Sequence, residues 1–246
     1  MASTGAYDLR GKTALVTGGT RGIGRAIAAA YLRARARVFI CGRDEKHLAV
    51  ALRELQPLGE IDGAAVDLGG AEAATFLIAR AAERFGALDV LVNNASILGP
   101  RVAIAEYPVA AWDEVLRINL TGVFYLTREA VPLMAEKKSG SIINVTSGVG
   151  RQGKARWGAY AVSKAGIECL TQVLADELRD AGIRVNAVNP AATRTAMRAA
   201  AYPDEDPQTL PLPEDIVEIF LYLGSDLAAA VTGRSFDARD WRKRGV

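Results

Sequence analysis

The segment TALVTGGTRGIGRAI, residues 13–27, decides the fold. Residues 13–17 form a short apolar run with β-branched side chains, which predicts a buried strand, and helical spacing begins at Gly22. Glycine adopts positive φ and lets the backbone approach a bound group, while the start of a helix offers unpaired N–H groups to an anion. The glycines alone are also compatible with an ordinary turn. Their position between the first strand and the first helix instead predicts a pyrophosphate-binding site.

Short apolar runs alternate with helical patterns along the rest of the chain. We predict strands at Thr13–Thr17, Arg37–Cys41, Ala64–Asp67, Leu88–Asn93, Ser141–Thr146, Arg184–Asn189 and Ser235–Asp237. We predict helices at Gly22–Ala36, Glu45–Gln56, Ala71–Phe85, Val109–Glu136, Trp157–Ala181 and Glu214–Leu223. Strands joined by helices form a parallel sheet that is covered on both faces. The sequence therefore predicts an α/β, Rossmann-type, doubly wound fold with a seven-stranded parallel sheet and a ligand crevice at the carboxyl ends of the strands.

The length of 246 residues suits one hydrophobic core, so we expect a single domain over residues 1–246. Four prolines and three acidic residues interrupt any regular pattern in residues 192–213. We predict a loop there, with one helical turn around Met197–Tyr202. A long loop above the strand ends is usually functional, and we expect this one on the substrate side of the crevice.

Composition excludes several classes of function. A formal net charge of +2 is too small to indicate a nucleic-acid partner. One histidine and two cysteines are too few for a metal site or a disulfide framework, and cysteine usage favours the cytoplasm. Residues 1–12 lack the apolar core of a signal peptide, and no apolar run long enough to span a membrane follows. We therefore expect no metal, nucleic-acid or membrane partner.

A possible catalytic group lies in the second half of the chain. Tyr160 and Lys164 are four residues apart in a helical pattern and share one face, although such a pair is often only a solvated surface pair. Ser147 ends an apolar strand thirteen residues before Tyr160, where the crevice is expected to open. Asn119 lies in an apolar run, and a buried amide costs about 1–3 kcal/mol unless it is hydrogen-bonded. These four residues together predict a polar site.

The glycine motif has the form T-G-x-x-x-G-x-G rather than G-x-G-x-x-G. In this motif, and in the kind and order of Asn119, Ser147, Tyr160 and Lys164, the chain resembles the short-chain dehydrogenase/reductase family over nearly its whole length. A narrower likeness to the YciK-like oxidoreductases of that family is visible in the stretches GVGRQGKARWGAY (148–160), TRTAMR (193–198) and YPDEDP (202–207). The subgroup implies no particular substrate.

The residues that distinguish NAD from NADP are expected at the end of the second strand, which here is Cys41-Gly42-Arg43-Asp44. A carboxylate there suits the ribose hydroxyl of NAD, and a cation suits the 2′-phosphate of NADP. Asp44 stands at the start of a helical run, where it is well placed to cap the helix. Arg43 and Arg21 supply two guanidinium groups, which suit a phosphate dianion, although both could instead be solvated surface residues. We therefore predict NADP(H) in preference to NAD(H).

The family resemblance implies further coenzyme contacts. Asp67 is expected to face the adenine, and Asn93-Asn94-Ala95-Ser96 stands where the family has Asn-Asn-Ala-Gly. Ala191 stands where the family usually has glycine, and Thr195 is expected to bond the pyrophosphate. The full set implied for the coenzyme is Gly18, Thr20, Arg21, Gly22, Ile23, Gly24, Arg43, Asp67, Leu68, Asn93, Ala95, Tyr160, Lys164, Pro190, Thr193 and Thr195.

The resemblance also implies the reaction, a hydride transfer between a nicotinamide and a small carbonyl or alcohol substrate. Tyr160 acts as general acid or base, Ser147 bonds the reacting oxygen, and the Lys164 cation favours the phenolate. Asn119 is expected to hold a water that links Lys164 to solvent. Family members pair through the two long helices, so we expect a homotetramer, or otherwise a dimer. A non-catalytic nucleotide sensor on the same fold is the alternative.

Overall fold

The computed structural model describes residues 7–241. Seven strands run through this part of the chain: β1 Thr13–Thr17, β2 Arg37–Gly42, β3 Ile61–Ala65, β4 Val90–Asn93, β5 Gly140–Val145, β6 Ile183–Asn189 and β7 Ser235–Asp237. They form one parallel sheet in the order β3-β2-β1-β4-β5-β6-β7. The chain crosses from β3 to β4 beside β1, so the strand order reverses there. The predicted single-domain, doubly wound fold is confirmed.

Helices cover both faces of this sheet. They are α1 Gly22–Arg33, α2 Glu45–Leu55, α3 Ala71–Phe85, α4 Val109–Leu116, α5 Gly122–Glu136, α6 Gly148–Arg151, α7 Gly158–Glu177, α8 Ala196–Ala201, α9 Glu218–Gly224 and α10 Ala238–Trp241. Short 3₁₀ turns lie at Gln56–Leu58, Ile104–Glu106, Pro207–Thr209, Pro213–Ile216 and Asp226–Ala228, and a π-helical segment joins α4 to α5 at Arg117–Thr121.

The central strand β1 shows how the core is divided. All five of its residues are buried, as expected for a parallel strand covered on both faces. Leu15 packs on one face against Leu77 of α3, whereas Val16 packs on the other face against Ile27 of α1 and Phe220 of α9. Side chains alternate between the two faces of a strand, so one short apolar run anchors both layers of helices.

Most predicted elements differ from the structure only at their ends, and three differ in register or in kind. The third strand is Ile61–Ala65 and not Ala64–Asp67, because it is a half-buried edge strand whose register follows β2, with Ile61 paired to Val38. The predicted helix 109–136 is interrupted by the π-helical segment. The predicted helix 214–223 is a 3₁₀ turn followed by α9.

The proline-rich loop 192–213 contains one helix, α8, one residue earlier than the predicted turn. Thr195 begins it, because its Oγ1 accepts a hydrogen bond from the backbone N–H of Arg198 at 3.1 Å. Across residues 7–241, no helix combines the length and apolar character needed to cross a membrane. In the same range, histidine, cysteine and acidic side chains form no group of three that could hold a metal ion.

Candidate active site

The carboxyl ends of the strands open into a cleft of about 560 Å³. Most of the residues singled out in the sequence line it. These are Gly18, Thr20, Arg21, Gly22, Ile23, Gly24, Arg43, Asp67, Leu68, Ala95, Ser147, Tyr160, Lys164, Pro190, Thr193 and Thr195. Asn93 and Asn119 do not line it. The structure therefore brings the predicted phosphate-binding and catalytic groups into one continuous cleft.

The glycine loop forms a cradle that side chains would fill. Gly18 and Gly22 adopt φ values of +64° and +56°, in the left-handed region. A Cβ at Gly24 would lie 2.3 Å from the carbonyl oxygen of Gly18. The loop is tied to the end of β4, because Asn94 donates to the carbonyl oxygen of Thr17 at 2.8 Å and Thr17 Oγ1 accepts from the backbone N–H of Asn94 at 3.0 Å. The sequence reading missed this link, which fixes the loop beside the cleft.

Asp44 and Arg43 have different roles at the end of β2. Asp44 caps α2 by accepting from the backbone N–H of His47 at 2.8 Å, a bond that holds the pKa of its carboxyl below the usual value. Arg21 and Arg43 are exposed and line the cleft. Within residues 7–241, neither guanidinium forms a hydrogen bond or an ion pair. Both cations are therefore available to an anion in the cleft.

Asp67 lies at the adjacent wall of the cleft, bonded to Arg117. Arg117 Nη2 donates to Asp67 Oδ2 at 2.8 Å, and its Nε donates to Glu114 Oε2 at 2.7 Å. Partial burial opposes ionisation of Asp67, yet its hydrogen bonds to Arg117 and to the backbone of Gly69 leave its pKa lowered. The hydrogen bonds that Arg117 donates to Glu114, and then the one that it donates to Asp67, raise the pKa of Arg117. Arg117 was not singled out in the sequence.

Tyr160 and Lys164 lie one turn apart on α7, and Ser147 lies just before α6, at the end of β5. Burial raises the pKa of Tyr160 to about 12, opposed by a hydrogen bond from Ser147. Burial also lowers the pKa of Lys164 to about 8. Lys164 Nζ donates to the carbonyl oxygen of Val145 at 2.8 Å and lies 5.6 Å from the centroid of the Tyr160 ring. The phenol is thus protonated at neutral pH and carries a transferable proton beside a cation.

Asn119 is fully buried in the π-helical segment, behind the cleft wall. Its Oδ1 accepts from the backbone N–H of Ile97 at 2.8 Å, and its Nδ2 donates to the Ile97 carbonyl oxygen at 2.9 Å. Nδ2 also donates to Ser163 Oγ at 3.2 Å, and Ser163 in turn donates to the carbonyl oxygen of Tyr160 at 2.8 Å. The amide therefore ties the β4–α4 loop to the helix that carries Tyr160.

Asn93 faces the core instead of the cleft. Its Nδ2 donates to Asn144 Oδ1 at 2.9 Å, and Asn144 Nδ2 donates to Thr171 Oγ1, also at 2.9 Å. The structure therefore does not bring the Asn93 side chain to the predicted coenzyme contact. Asn94, the next residue, lines the cleft in its place.

The loop after β6 has a positive φ at Ala191, a backbone conformation that usually requires glycine. Ala191 has a φ of +57°, a left-handed conformation that costs an L-residue about 1–2 kcal/mol. Thr193 Oγ1 donates to the carbonyl oxygen of Pro190 at 3.0 Å, which folds the loop back on itself. Alanine at this position thus adopts a backbone conformation that glycine adopts without strain.

A cluster of aromatic rings lies at the other end of the cleft, where Trp157 and Tyr160 form part of the lining. The Trp157 ring lies 5.5 Å from the Tyr160 ring and 6.0 Å from the Tyr202 ring, measured between centroids. The Arg101 guanidinium lies over both, 4.6 Å from the Trp157 centroid and 4.8 Å from the Tyr202 centroid. Arg101 also donates to the carbonyl oxygen of Ala201. Neither Arg101 nor Tyr202 was predicted from the sequence to contact Trp157, because these contacts join distant parts of the chain.

Comparisons with known proteins agree with this geometry. The family model "short chain dehydrogenase" matches residues 12–206. The chain is 40% identical to the oxidoreductase YciK of Escherichia coli K12, over 97% of this chain and 96% of that protein. A short chain dehydrogenase from Shigella flexneri complexed with NADP superposes with a TM-score of 0.88 at 38% identity, covering 94% of this chain and 98% of that one. A short chain dehydrogenase from E. coli CFT073 complexed with NADPH gives a TM-score of 0.86 at 38% identity and the same coverage.

Proposed function

The chain belongs to the short-chain dehydrogenase family and is an NAD(P)-dependent oxidoreductase, and from that premise we propose that it transfers hydride between NADP(H) and a carbonyl or alcohol substrate, with Tyr160 as general acid or base. The family and the YciK-like subgroup inferred from the sequence are both confirmed. The observation that carries the proposal is the convergence of Ser147, Tyr160 and Lys164 in the cleft that also contains the glycine cradle.

The nicotinamide supplies or accepts the hydride, and the protein moves the proton. In the reductive direction, Ser147 donates a hydrogen bond to the substrate oxygen while Tyr160 Oη gives its proton to that oxygen. The electron pair of the broken O–H bond stays on the phenol, where the nearby Lys164 ammonium stabilises the negative charge. In the oxidative direction, the phenolate takes the proton back from the alcohol. Asn119 supports this site through Ile97 and Ser163 and acts as a positioning residue.

The cleft fits the coenzyme. Glycines stand where a Cβ would meet the backbone or a neighbouring side chain: at Gly42 it would lie 2.6 Å from Thr20 Cγ2. The glycine loop and the start of α1 would hold the pyrophosphate, with Thr195 opposite. Asp67 and Leu68 would hold the adenine, Lys164 the nicotinamide ribose, and Pro190 and Thr193 the nicotinamide end. Asn93 is not part of this proposal through its side chain.

We infer NADP(H) in preference to NAD(H). Among the residues that the structure describes, the guanidinium groups of Arg21 and Arg43 have no hydrogen-bond or ion-pair partner, and Asp44, the carboxylate nearest to Arg43 in sequence, is engaged in capping α2. Two structural neighbours are complexed with NADP and NADPH, which favours the same choice.

The substrate end of the cleft favours a carbonyl beside an apolar group. Leu98, Trp157, Met197 and Ala200 line it near Tyr160. The last two belong to the loop 192–213, which supports its role as the substrate-side wall. A small or medium organic ketone or aldehyde with an aromatic or aliphatic substituent matches this lining.

A homotetramer, or otherwise a dimer, is supported by exposed apolar residues on the two long helices. Phe124 on α5 is 47% exposed, and Val162 and Val173 on α7 are 47% and 45% exposed. Pairing of these helices with those of a second copy would bury them, and light scattering after gel filtration would measure the resulting mass. The two free cysteines, Cys41 and Cys169, are compatible with the proposed cytoplasmic location.

The decisive experiment measures NADPH oxidation against a panel of ketones, aldehydes, quinones and acyl thioesters. Tyr160→Phe is expected to lower turnover of the best substrate by at least about 100-fold, because general acid catalysis contributes that much. The dissociation constant for NADPH should remain within about twofold of wild type, since the phenol oxygen adds little to coenzyme binding. Tyr222→Phe, which alters a tyrosine packed on Trp241 away from the cleft, is the matched control and should retain activity.

Substantial turnover by Tyr160→Phe would refute the assignment of the proton donor. If the wild type binds NADPH yet turns over no member of the panel, the result would support the alternative of a nucleotide-sensing protein.

A further inference from the structure

Arg117 joins two carboxylates beside the cleft. It begins the π-helical segment and donates to Asp67 Oδ2 through Nη2 at 2.8 Å. It also holds Glu114 in a forked contact, through Nε at 2.7 Å and Nη2 at 2.9 Å. Glu114 lies three residues earlier on α4, whereas Asp67 lies 50 residues away in the chain. One guanidinium thus pairs with a carboxylate of α4 and with a carboxylate of the loop between β3 and α3.

Arg43 is the neighbouring cation. Its charge acts on both Asp67 and Glu114 and contributes to lowering the pKa of each. Within the described residues, however, Arg43 forms no hydrogen bond or ion pair, whereas Arg117 forms ion pairs with both carboxylates. The two arginines and two carboxylates carry no net charge together. Of these two arginines, Arg43 is the one that lines the cleft.

We propose that Arg117 is a positioning residue that determines coenzyme choice: by holding Asp67 and Glu114, it keeps Arg43 free to receive the 2′-phosphate of NADP(H). This inference rests on the proposed NADP(H) preference. Without Arg117, the two carboxylates would pair with Arg43 or repel the phosphate, because opposite charges attract and like charges repel at this range. The 2′-hydroxyl of NAD carries no charge, so its binding would change little.

The backbone beside Arg117 is built to admit its guanidinium. A Cβ at Gly69 would lie 1.6 Å from Arg117 Nη1, so a side chain there would displace the guanidinium from Asp67. Gly69 does not adopt a left-handed φ, so alanine is compatible with its backbone. Gly69→Ala is therefore a second, independent way to remove the Arg117 contact without changing any charge.

The test compares two probes, 2′,5′-ADP and 5′-AMP, which differ only by the 2′-phosphate. Their dissociation constants are measured by isothermal titration calorimetry at low ionic strength for wild type, Arg117→Gln, Arg117→Lys and Gly69→Ala. Arg80→Gln is the matched control, because Arg80 makes a comparable contact to Glu83 three residues away on α3, outside the cleft.

Arg117→Gln is expected to weaken 2′,5′-ADP by about five- to tenfold and 5′-AMP by less than about twofold, the size expected for one exposed charge acting on a phosphate dianion. Arg117→Lys should retain most of the preference for 2′,5′-ADP over 5′-AMP, and Gly69→Ala should lose part of that preference. Adding Glu114→Gln to Arg117→Gln should recover part of the loss, since one carboxylate is removed. Higher salt should reduce the difference between the probes.

Equal weakening of both probes by Arg117→Gln would show a merely structural role and overturn the proposal. An unchanged ratio of the two constants, or the same shift in Arg80→Gln, would overturn it as well. If the wild type itself binds 2′,5′-ADP no more tightly than 5′-AMP, the proposed NADP(H) preference has failed. These outcomes therefore distinguish failure of the proposed role of Arg117 from failure of the proposed NADP(H) preference.

Discussion

Replacement of Asn119 by leucine tests how much the hydrogen bonds of this amide stabilise the fold around the site. Leucine has a similar volume but offers no polar atom, and position 119 is fully buried. The change would leave the backbone N–H and carbonyl of Ile97 without their side-chain partner. Ser163 would lose one bond but keep its own donation to the Tyr160 carbonyl. The loss therefore falls chiefly on two partly buried backbone groups of Ile97.

The cost follows from those two groups. An orphaned buried donor or acceptor costs about 1–3 kcal/mol, so the pair costs about 2–6 kcal/mol. Burial of the leucine side chain offsets part of this, roughly 1–2 kcal/mol. We expect Asn119→Leu to lower the free energy of unfolding by about 1–4 kcal/mol, which lowers the midpoint of thermal unfolding by roughly 2–15 °C in a chain of this size.

Calorimetry and urea unfolding at equal protein concentration would measure this loss. Gln56→Leu is the control, because it makes the same kind of amide-to-leucine change at an exposed site. A loss below about 1 kcal/mol in Asn119→Leu would refute the reasoning, since it would mean that the Ile97 backbone finds other partners.

Two further changes probe the buried cation and the strained turn. Because the pKa of Lys164 is lowered to about 8, the folded state binds fewer protons than the unfolded state above that pH. The free energy of unfolding of wild type, relative to that of Lys164→Met, should therefore rise by about 2 kcal/mol between pH 8 and 10. If urea unfolding shows the same difference between the two proteins at every pH in that window, the result would contradict the burial of a charged lysine. Ala191→Gly should be neutral or stabilising by up to about 1 kcal/mol, because glycine removes the left-handed strain while adding freedom to the unfolded chain. Ala192→Gly, at a position without positive φ, should destabilise instead, and equal melting temperatures for the two variants would refute the strain argument.

Much of the fold follows from the sequence because buried parallel strands are short apolar runs. β1 and β7 have the predicted bounds, and the other central strands differ by one or two residues. β3 is the exception, because its residues Ile61-Asp62-Gly63 carry no continuous apolar pattern. Its register depends on pairing with β2, which is a tertiary contact that no local pattern reports.

The orientation of Asn93 was predictable in principle. Side chains on a strand alternate between faces, and Leu91 faces the layer that contains α5. Asn93, two residues later, shares that face, and its Nδ2 lies 3.5 Å from Thr127 Oγ1 of α5. By contrast, Arg101 and Arg117 act on Ala201 and Asp67, which are 100 and 50 residues away. Only the folded chain brings such pairs together.

The π-helical segment accounts for both ends of the site at once. Arg117 and Asn119 are two residues apart, so their side chains leave the helix on nearly opposite sides. Arg117 reaches outward to Asp67 at the adenine end, and Asn119 reaches inward to Ile97 and to Ser163, whose oxygen contacts the Tyr160 backbone. A regular helix through this segment would shift the residues after it by part of a turn, so both contacts could not be kept together with the packing of α5. The irregular turn is thus the local structure that lets one helix pair contact both Asp67 at one end of the cleft and the helix that carries Tyr160 at the other.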